Sequence, residues 1–230
     1  MINSDAEVKQ IRELVLEMGS RARSALAEAF NALMGDRTNI DQIEMADRFL
    51  DEAERNIDSL VLRCLALRRP VSKDLRFMLV STRIAGHWER VGDEITSIVR
   101  QVRLMTKTPP HQRAKDLREM SQLLSESIDE TMALLREQPE GDAPTLVKKD
   151  KSIDAINRKI FTEEVQELES GAGEAALRIQ IMLISRSLER IGDNVKQIAQ
   201  DIHYMNHAED IRHTSPDANS AGQPPTCQVI

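Results

Sequence analysis

Two segments one hundred residues apart, Glu89-Arg90-Val91-Gly92-Asp93 and Glu189-Arg190-Ile191-Gly192-Asp193, each place one acid four residues after another. On a helix this spacing stacks both carboxylates on one face, where like charges repel unless something positive lies between them. Two more pairs recur in related places, Glu54 with Asp58 and Asp150 with Asp154, each with an isoleucine before its last acid, Ile57 and Ile153. Four carboxylates gathered in each half, acceptors only, raise one another's pKa or recruit a cation. Oxygen-only sets suit hard ions such as Mg, Mn, Ca or iron better than a zinc cage.

Spacing tests whether the pairs can meet. Asp150 and Asp154 lie 21 and 17 residues before Gly171, and Glu189 and Asp193 lie 16 and 20 after Gly173. At ~1.5 Å per residue both pairs sit roughly 25 to 30 Å from the shared turn, so antiparallel helices bring them level. Glu54 and Asp58 lie 16 and 12 residues before Pro70, while Glu89 and Asp93 lie 15 and 19 after Asp74. That match is looser, within about two turns. The competing reading is a set of exposed acids interleaved with Arg55, Arg90, Lys151 and Arg190, in surface ion pairs worth ~0–1 kcal/mol each. The residues alone leave both readings open. Glu13 with Glu17, Glu126 with Glu130 and Glu163 with Glu167 have the same spacing but no counterpart in the other half, and are expected to be solvated helix faces.

The elements that carry these acids follow from the breakers. Apolar-periodic runs extend from about Asp5 to Gly35-Asp36, from Ile40 to Arg69, from Ser72 or Asp74 to Lys107, from His111 to Gln138, from beyond Pro144 to Ser170, and from Gly173 to near Asn206. Pro70, Pro109-Pro110, Pro139, Gly141, Pro144 and Gly171-Ala172-Gly173 separate them. Ser72 or Asp74 is the expected N-cap of the third run. Its stripe Phe77, Val80, Ile84, Trp88, Val91, Ile95, Ile98 and Val102 matches Leu177, Ile181, Ile184, Leu188, Ile191, Val195, Ile198 and Ile202 in the sixth. The fold class is therefore all-α, two repeated antiparallel three-helix bundles sharing a continuous core. The domains are residues 1–108 and 109–207, with 208–230 expected to be a disordered tail.

Composition agrees and excludes several classes. Aromatic residues make up 3% and charged residues 30%, which suits long amphipathic helices better than a sandwich or barrel. A net charge of −7 with no basic, aromatic-laced stripe argues against nucleic acid. Cys64 and Cys227 form neither a disulfide framework nor a metal pair, and a reduced, cytoplasmic setting is the simpler reading. No run approaches the ~20 apolar residues of a membrane span, so membrane contact is expected only through partners. Gly92 and Gly192 cost ~1 kcal/mol each inside a helix, which points to close backbone packing or ligand access. His87, beside Trp88, and the pair His203 and His207 are expected to be ordinary helix histidines. Carboxylate-bridged oxidases use repeated Glu-x-x-His motifs, which are not evident, so an enzymatic role is the lesser alternative beside a metal-free helical scaffold.

The run Leu65-Ala66-Leu67-Arg68-Arg69-Pro70-Val71-Ser72-Lys73-Asp74-Leu75-Arg76, followed by the two Glu-Arg-x-Gly-Asp segments, resembles the PhoU family of phosphate-uptake regulators over about residues 5–206. The resemblance implies two three-helix bundles, no enzymatic chemistry, and a multinuclear metal cluster on acidic pairs. Those pairs fall on Glu54, Asp58, Glu89, Asp93, Asp150, Asp154, Glu189 and Asp193. Iron is the favoured hard cation, with Mn, Mg, Zn or Ca as other candidates. It further implies an adaptor that restrains phosphate-starvation signalling, between the ATPase subunit of a phosphate ABC transporter and a sensor histidine kinase. Exposed helical faces permit a homodimer. The asparagine common to the family four residues after the Gly-Asp aspartate is Ser97 in one repeat and Gln197 in the other, which puts a partner surface in doubt.

Overall fold

A computed structural model describes residues 4–68, 70–137, 144–171 and 173–209, and these form six α-helices. They are α1 (Ser4–Leu33), α2 (Ile40–Arg68), α3 (Ser72–Leu104), α4 (His111–Glu137), α5 (Pro144–Glu169) and α6 (Ala175–His207). The ends fall where the breakers stand. Gly35, Gly171 and Gly173 take positive φ (110°, 69° and 76°), a region glycine enters without a Cβ penalty. The expected disordered tail lies, from residue 210 onward, outside the described residues.

The start of α3 departs from expectation. Neither Ser72 nor Asp74 caps it: Val71 holds the cap position with extended backbone and offers no side-chain bond. Ser72 adopts φ 51°, and the Asp74 N–H donates to the Val71 carbonyl at 3.2 Å. A turn closed by backbone leaves the Asp74 carboxylate in the first turn, where the helix dipole favours it.

α1, α2 and α3 pack on one another, as do α4, α5 and α6, and α3 lies against α6 between the two bundles. Both apolar stripes are buried along this axis, except that Leu177 at the end of α6 is only partly covered. One hydrophobic core runs through both bundles. Trp88, 2% exposed, fills space beside Gly19 of α1 and Met132 of α4. A Cβ on Gly19 would lie 2.9 Å from Met132 Sδ and 3.0 Å from Trp88 Cζ2, so the indole requires that glycine.

α3 and α6 run antiparallel, since Arg83 pairs with Asp201 (2.9 Å) and Arg190 with Glu94 (2.8 Å). The Arg76 guanidinium also donates to the Met205 carbonyl at 2.9 Å, satisfying an end of α6. This register crosses the two helices near Gly92 and Gly192. The repeats are thus related by an approximate twofold axis at the Glu-Arg-x-Gly-Asp segments themselves.

Candidate functional site

The glycines of the repeated motif fix how the acid-bearing helices meet. A Cβ on Gly92 would lie 2.6 Å from Leu50 Cδ1 and 3.4 Å from Asp47 Oδ1, and one on Gly86 would lie 3.2 Å from Glu54 Oε1. α2 therefore runs antiparallel to α3 with residue 50 against residue 92 and residue 54 near residue 86. In that register Asp47 is level with Asp93, and Asp51 with Glu89. Asp58 is two turns beyond Asp51, ~10 Å along α2, on an exposed position.

The electrostatics follow the same register. Burial pushes the Glu89 carboxyl up, and Asp93, Glu54 and Asp51 push it further, against Arg90. Burial also raises the Asp47 carboxyl. The nearby Thr96 hydroxyl opposes the rise, Asp51 and Asp93 add to it, and Arg48 moderates it. The first acidic set is thus Asp47, Asp51, Glu54, Glu89 and Asp93. Of the expected residues Glu54, Glu89 and Asp93 meet, whereas Asp58 stands apart and Asp47 and Asp51 take the places expected of Glu54 and Asp58.

The second half shows why. A Cβ on Gly192 would lie 3.4 Å from both Ile153 Cδ1 and Leu124 Cδ2, so Ile153 stands to Gly192 as Leu50 stands to Gly92. Asp150 is then level with Asp193 and Asp154 with Glu189, so all four expected residues lie at one level of α5 and α6. Burial raises Glu189, with Asp193 and Asp154 adding to it. Burial also raises Asp193, against Lys196 and with Asp150 and Asp154. The equivalence that sequence reasoning missed is legible once seen: Asp47-Arg48-Phe49-Leu50-Asp51 repeats as Asp150-Lys151-Ser152-Ile153-Asp154. Aligning Ile57-Asp58 with Ile153-Asp154 slips the first repeat by one heptad. Seven residues return a helix nearly to the same face, so a stripe of acids at 47, 51, 54 and 58 disguises the slip.

The two sets differ in their cations. Lys196 Nζ lies 2.7 Å from Asp150 Oδ2 and 3.7 Å from Asp193 Oδ1, and despite burial these acids hold its ammonium pKa up. The residue equivalent to Lys196 is Thr96, a neutral hydroxyl. Asp93 and Asp193 also line a shared groove of about 300 Å³ between α3 and α6, with Arg90, Glu94, Arg190 and Asn194.

The donor chemistry of the first set fits a hard cation, since it consists of carboxylates and one hydroxyl whose mutual repulsion a positive ion relieves. Its side chains are not drawn together as a finished ligand shell, because among the described residues no three His, Cys, Asp or Glu groups converge for a metal. The second set fits less well, because an ammonium already occupies its oxygens.

His87, His203 and His207 have their contacts away from both sets. His87 faces α6, with Nδ1 3.1 Å from Asn194 Oδ1 and Nε2 3.9 Å from Asp201. His203 and His207 stack with ring centroids 4.5 Å apart. Cys64 is buried and its thiol donates to Glu7. Glu13 and Glu17 are exposed in i,i+4 pairs with Lys9 and Arg21, as expected. Two other acid pairs are more engaged than expected. Lys149 bridges Glu126 and Glu130 at 2.9 and 2.8 Å. Glu163 pairs with Arg113, which is buried and also bonds Asp116 and Glu164, while Arg178 ties Glu164 to Glu167. No periodicity in the sequence signals that network, because its members are scattered over three helices.

Comparison with known proteins agrees with the repeat. A family model described as "PhoU domain" matches twice, over residues 15–102 and 117–202, one match per bundle. The "Phosphate-specific transport system accessory protein PhoU homolog" of Rhizobium meliloti (strain 1021) is 28% identical over 203 residues, covering 87% of this chain and 86% of its own. The protein of the same description from Pseudomonas aeruginosa is 26% identical over 91% of this chain and 87% of its own. The crystal structure of PhoU from Pseudomonas aeruginosa superposes with TM-score 0.83 at 25% identity, over 89% of this chain and 99% of that one. A phosphate transport system regulatory protein PhoU from Streptococcus pneumoniae shares the fold at TM-score 0.80 and 20% identity, over 90% of this chain and 98% of that one.

Proposed function

Because this chain belongs to the PhoU family, we propose that it is a regulator of phosphate uptake that works by binding rather than by catalysis. The observation that carries the reading is the double match, one domain on each bundle, with relatives described as accessory proteins of phosphate-specific transport. In this reading the chain is a cytoplasmic adaptor between the ATPase subunit of a phosphate ABC transporter and a sensor histidine kinase, and it restrains the phosphate-starvation response. No helix among the described residues is long and apolar enough to cross a membrane, which suits contact with the membrane through those partners. The exposed apolar residues Leu62, Leu79, Phe161 and Leu183 would serve partner binding or a homodimer.

Metal is the second part of the proposal. Asp47, Asp51, Glu54, Glu89 and Asp93 would hold a hard cation, iron or another, which would neutralise like charges and fix α2 against α3. This set supersedes the pairing of Glu54 with Asp58.

Two measurements test the reading. In the source cell, deleting the gene should switch on a phosphate-starvation reporter while phosphate is plentiful, and restoring the chain should silence it. An unchanged reporter would sink the regulatory role. Elemental analysis of protein purified without chelator should find a hard cation that Asp93→Asn removes. Protein devoid of metal would leave a metal-free helical scaffold, the other reading the residues allow.

A further inference from the structure

We propose that the second acidic set is closed by the protein's own cation: the Lys196 ammonium holds the place between Asp150 and Asp193 that a metal ion would take, so that only the first set loads a divalent cation. The inference rests on the metal reading above for the first set and departs from it for the second.

Repeat equivalence makes the comparison direct. With Gly92 against Leu50 and Gly192 against Ile153, each residue of one set has a counterpart in the other. Asp47, Asp51, Glu89 and Asp93 correspond to Asp150, Asp154, Glu189 and Asp193. Several positions around the sets differ, among them Gly86, which becomes Arg186, and two bear on the ligand places directly, both shifting the charge in the same sense. Thr96 becomes Lys196, three residues past the aspartate and therefore on the same face of the helix. Glu54 becomes Asn157, whose side-chain oxygen accepts a bond from Ser185 at 2.7 Å. The first set is thus five carboxylates with a neutral hydroxyl, and the second is four carboxylates with an ammonium.

The ammonium is engaged with the oxygens that a metal would need. Its 2.7 Å bond to Asp150 crosses from α6 to α5, and the same nitrogen is 3.7 Å from Asp193. Asp150 is nearly buried, so losing that partner leaves a carboxylate with little access to water. A divalent ion entering here must displace the lysine and then share the site with its charge, a combination of lost hydrogen bond and like-charge repulsion. The first set imposes neither cost. The α5–α6 contact is therefore fastened by an internal salt bridge, and the α2–α3 contact by a metal.

The test is metal stoichiometry and melting temperature of the full-length protein titrated with manganese after chelator treatment. The wild type should take up manganese that Asp93→Asn abolishes and Asp193→Asn leaves unchanged. Lys196→Thr, which copies Thr96, should roughly double the uptake. Without metal it should melt lower than the wild type, and manganese should restore it. Lys196→Arg, which keeps the charge, should behave as the wild type. If Asp193→Asn lowers uptake by the wild type, or Lys196→Thr adds none to a loaded first set, the inference is overturned while the metal reading stands. If the wild type takes up no manganese, the metal reading of the first set falls, and gain of a site by Lys196→Thr alone would still support the role of the lysine. No uptake by either protein overturns both.

Discussion

Glu89 is held among Asp51, Glu54 and Asp93 in a partly buried position, so its charge opposes folding when no cation is bound. Its folded pKa is above the unfolded one, so the folded state holds more protons between the two values. Stability from this group is then full below the unfolded pKa and is lost as pH rises through the folded pKa. Glu89→Gln should accordingly raise the melting temperature of chelator-treated protein at neutral pH. The advantage should shrink as the pH falls into the carboxyl range, which melting curves across that range would show. A constant difference at every pH would mean that packing, not charge, separates the two proteins. The same scale shows the limit of reading acids from sequence. The Gly-Asp motifs and Asp150 with Asp154 were legible because their neighbours repeat. Asp47 and Asp51 were not, because a heptad slip exchanges one acid for another of the same type, and only the seat of Leu50 against Gly92 decides between them.

Helices ended where proline and glycine said they would, since those residues act through backbone sterics that need no tertiary context. The cap of α3 was less legible, because backbone closure at Val71 replaced the side-chain bond that Ser72 or Asp74 offered. Packing between elements gives two expected outcomes. Gly92→Ala gains ~1 kcal/mol of helix propensity but drives a Cβ to 2.6 Å from the buried Leu50, an overpacking that costs about 1–3 kcal/mol. It should therefore be neutral to destabilising. Gly192→Ala meets Ile153 and Leu124 at 3.4 Å and should be neutral to stabilising. Urea unfolding of the two variants side by side checks the order, and Gly92→Ala as the more stable would refute this account of the contact. Arg113 joins α4 to α5 through Glu163 and Glu164, and Arg178 of α6 holds the same Glu164. Arg113→Ala removes one cation from Asp116 and Glu164, which keep Lys159 and Arg178, and should lose about 1–3 kcal/mol, visible as a lower urea midpoint. A loss below about 1 kcal/mol would show that the network is worth no more than a surface pair.

The whole molecule is two bundles joined along α3 and α6, and sequence alone conveyed the repeat and both buried stripes. It did not convey the way the bundles meet, because His87 with Asn194 and Arg83 with Asp201 are single polar contacts outside any period. Asp201 is 2% exposed at this seam, so Asp201→Asn should remove its ion pair with Arg83 and destabilise the protein by about 2 kcal/mol. The expected signature is a lower urea midpoint with an unchanged slope; two separate transitions would mean that the bundles unfold independently.

The near-twofold relation between the bundles has one more consequence. A body that looks alike after half a turn offers a partner two ways to grip it, and backbone shape alone barely tells them apart. Lys196 opposite Thr96, and Asn157 opposite Glu54, mark one end as less negative than the other. The molecule therefore has a head and a tail written in charge, and a partner that reads charge can seat it in a single orientation.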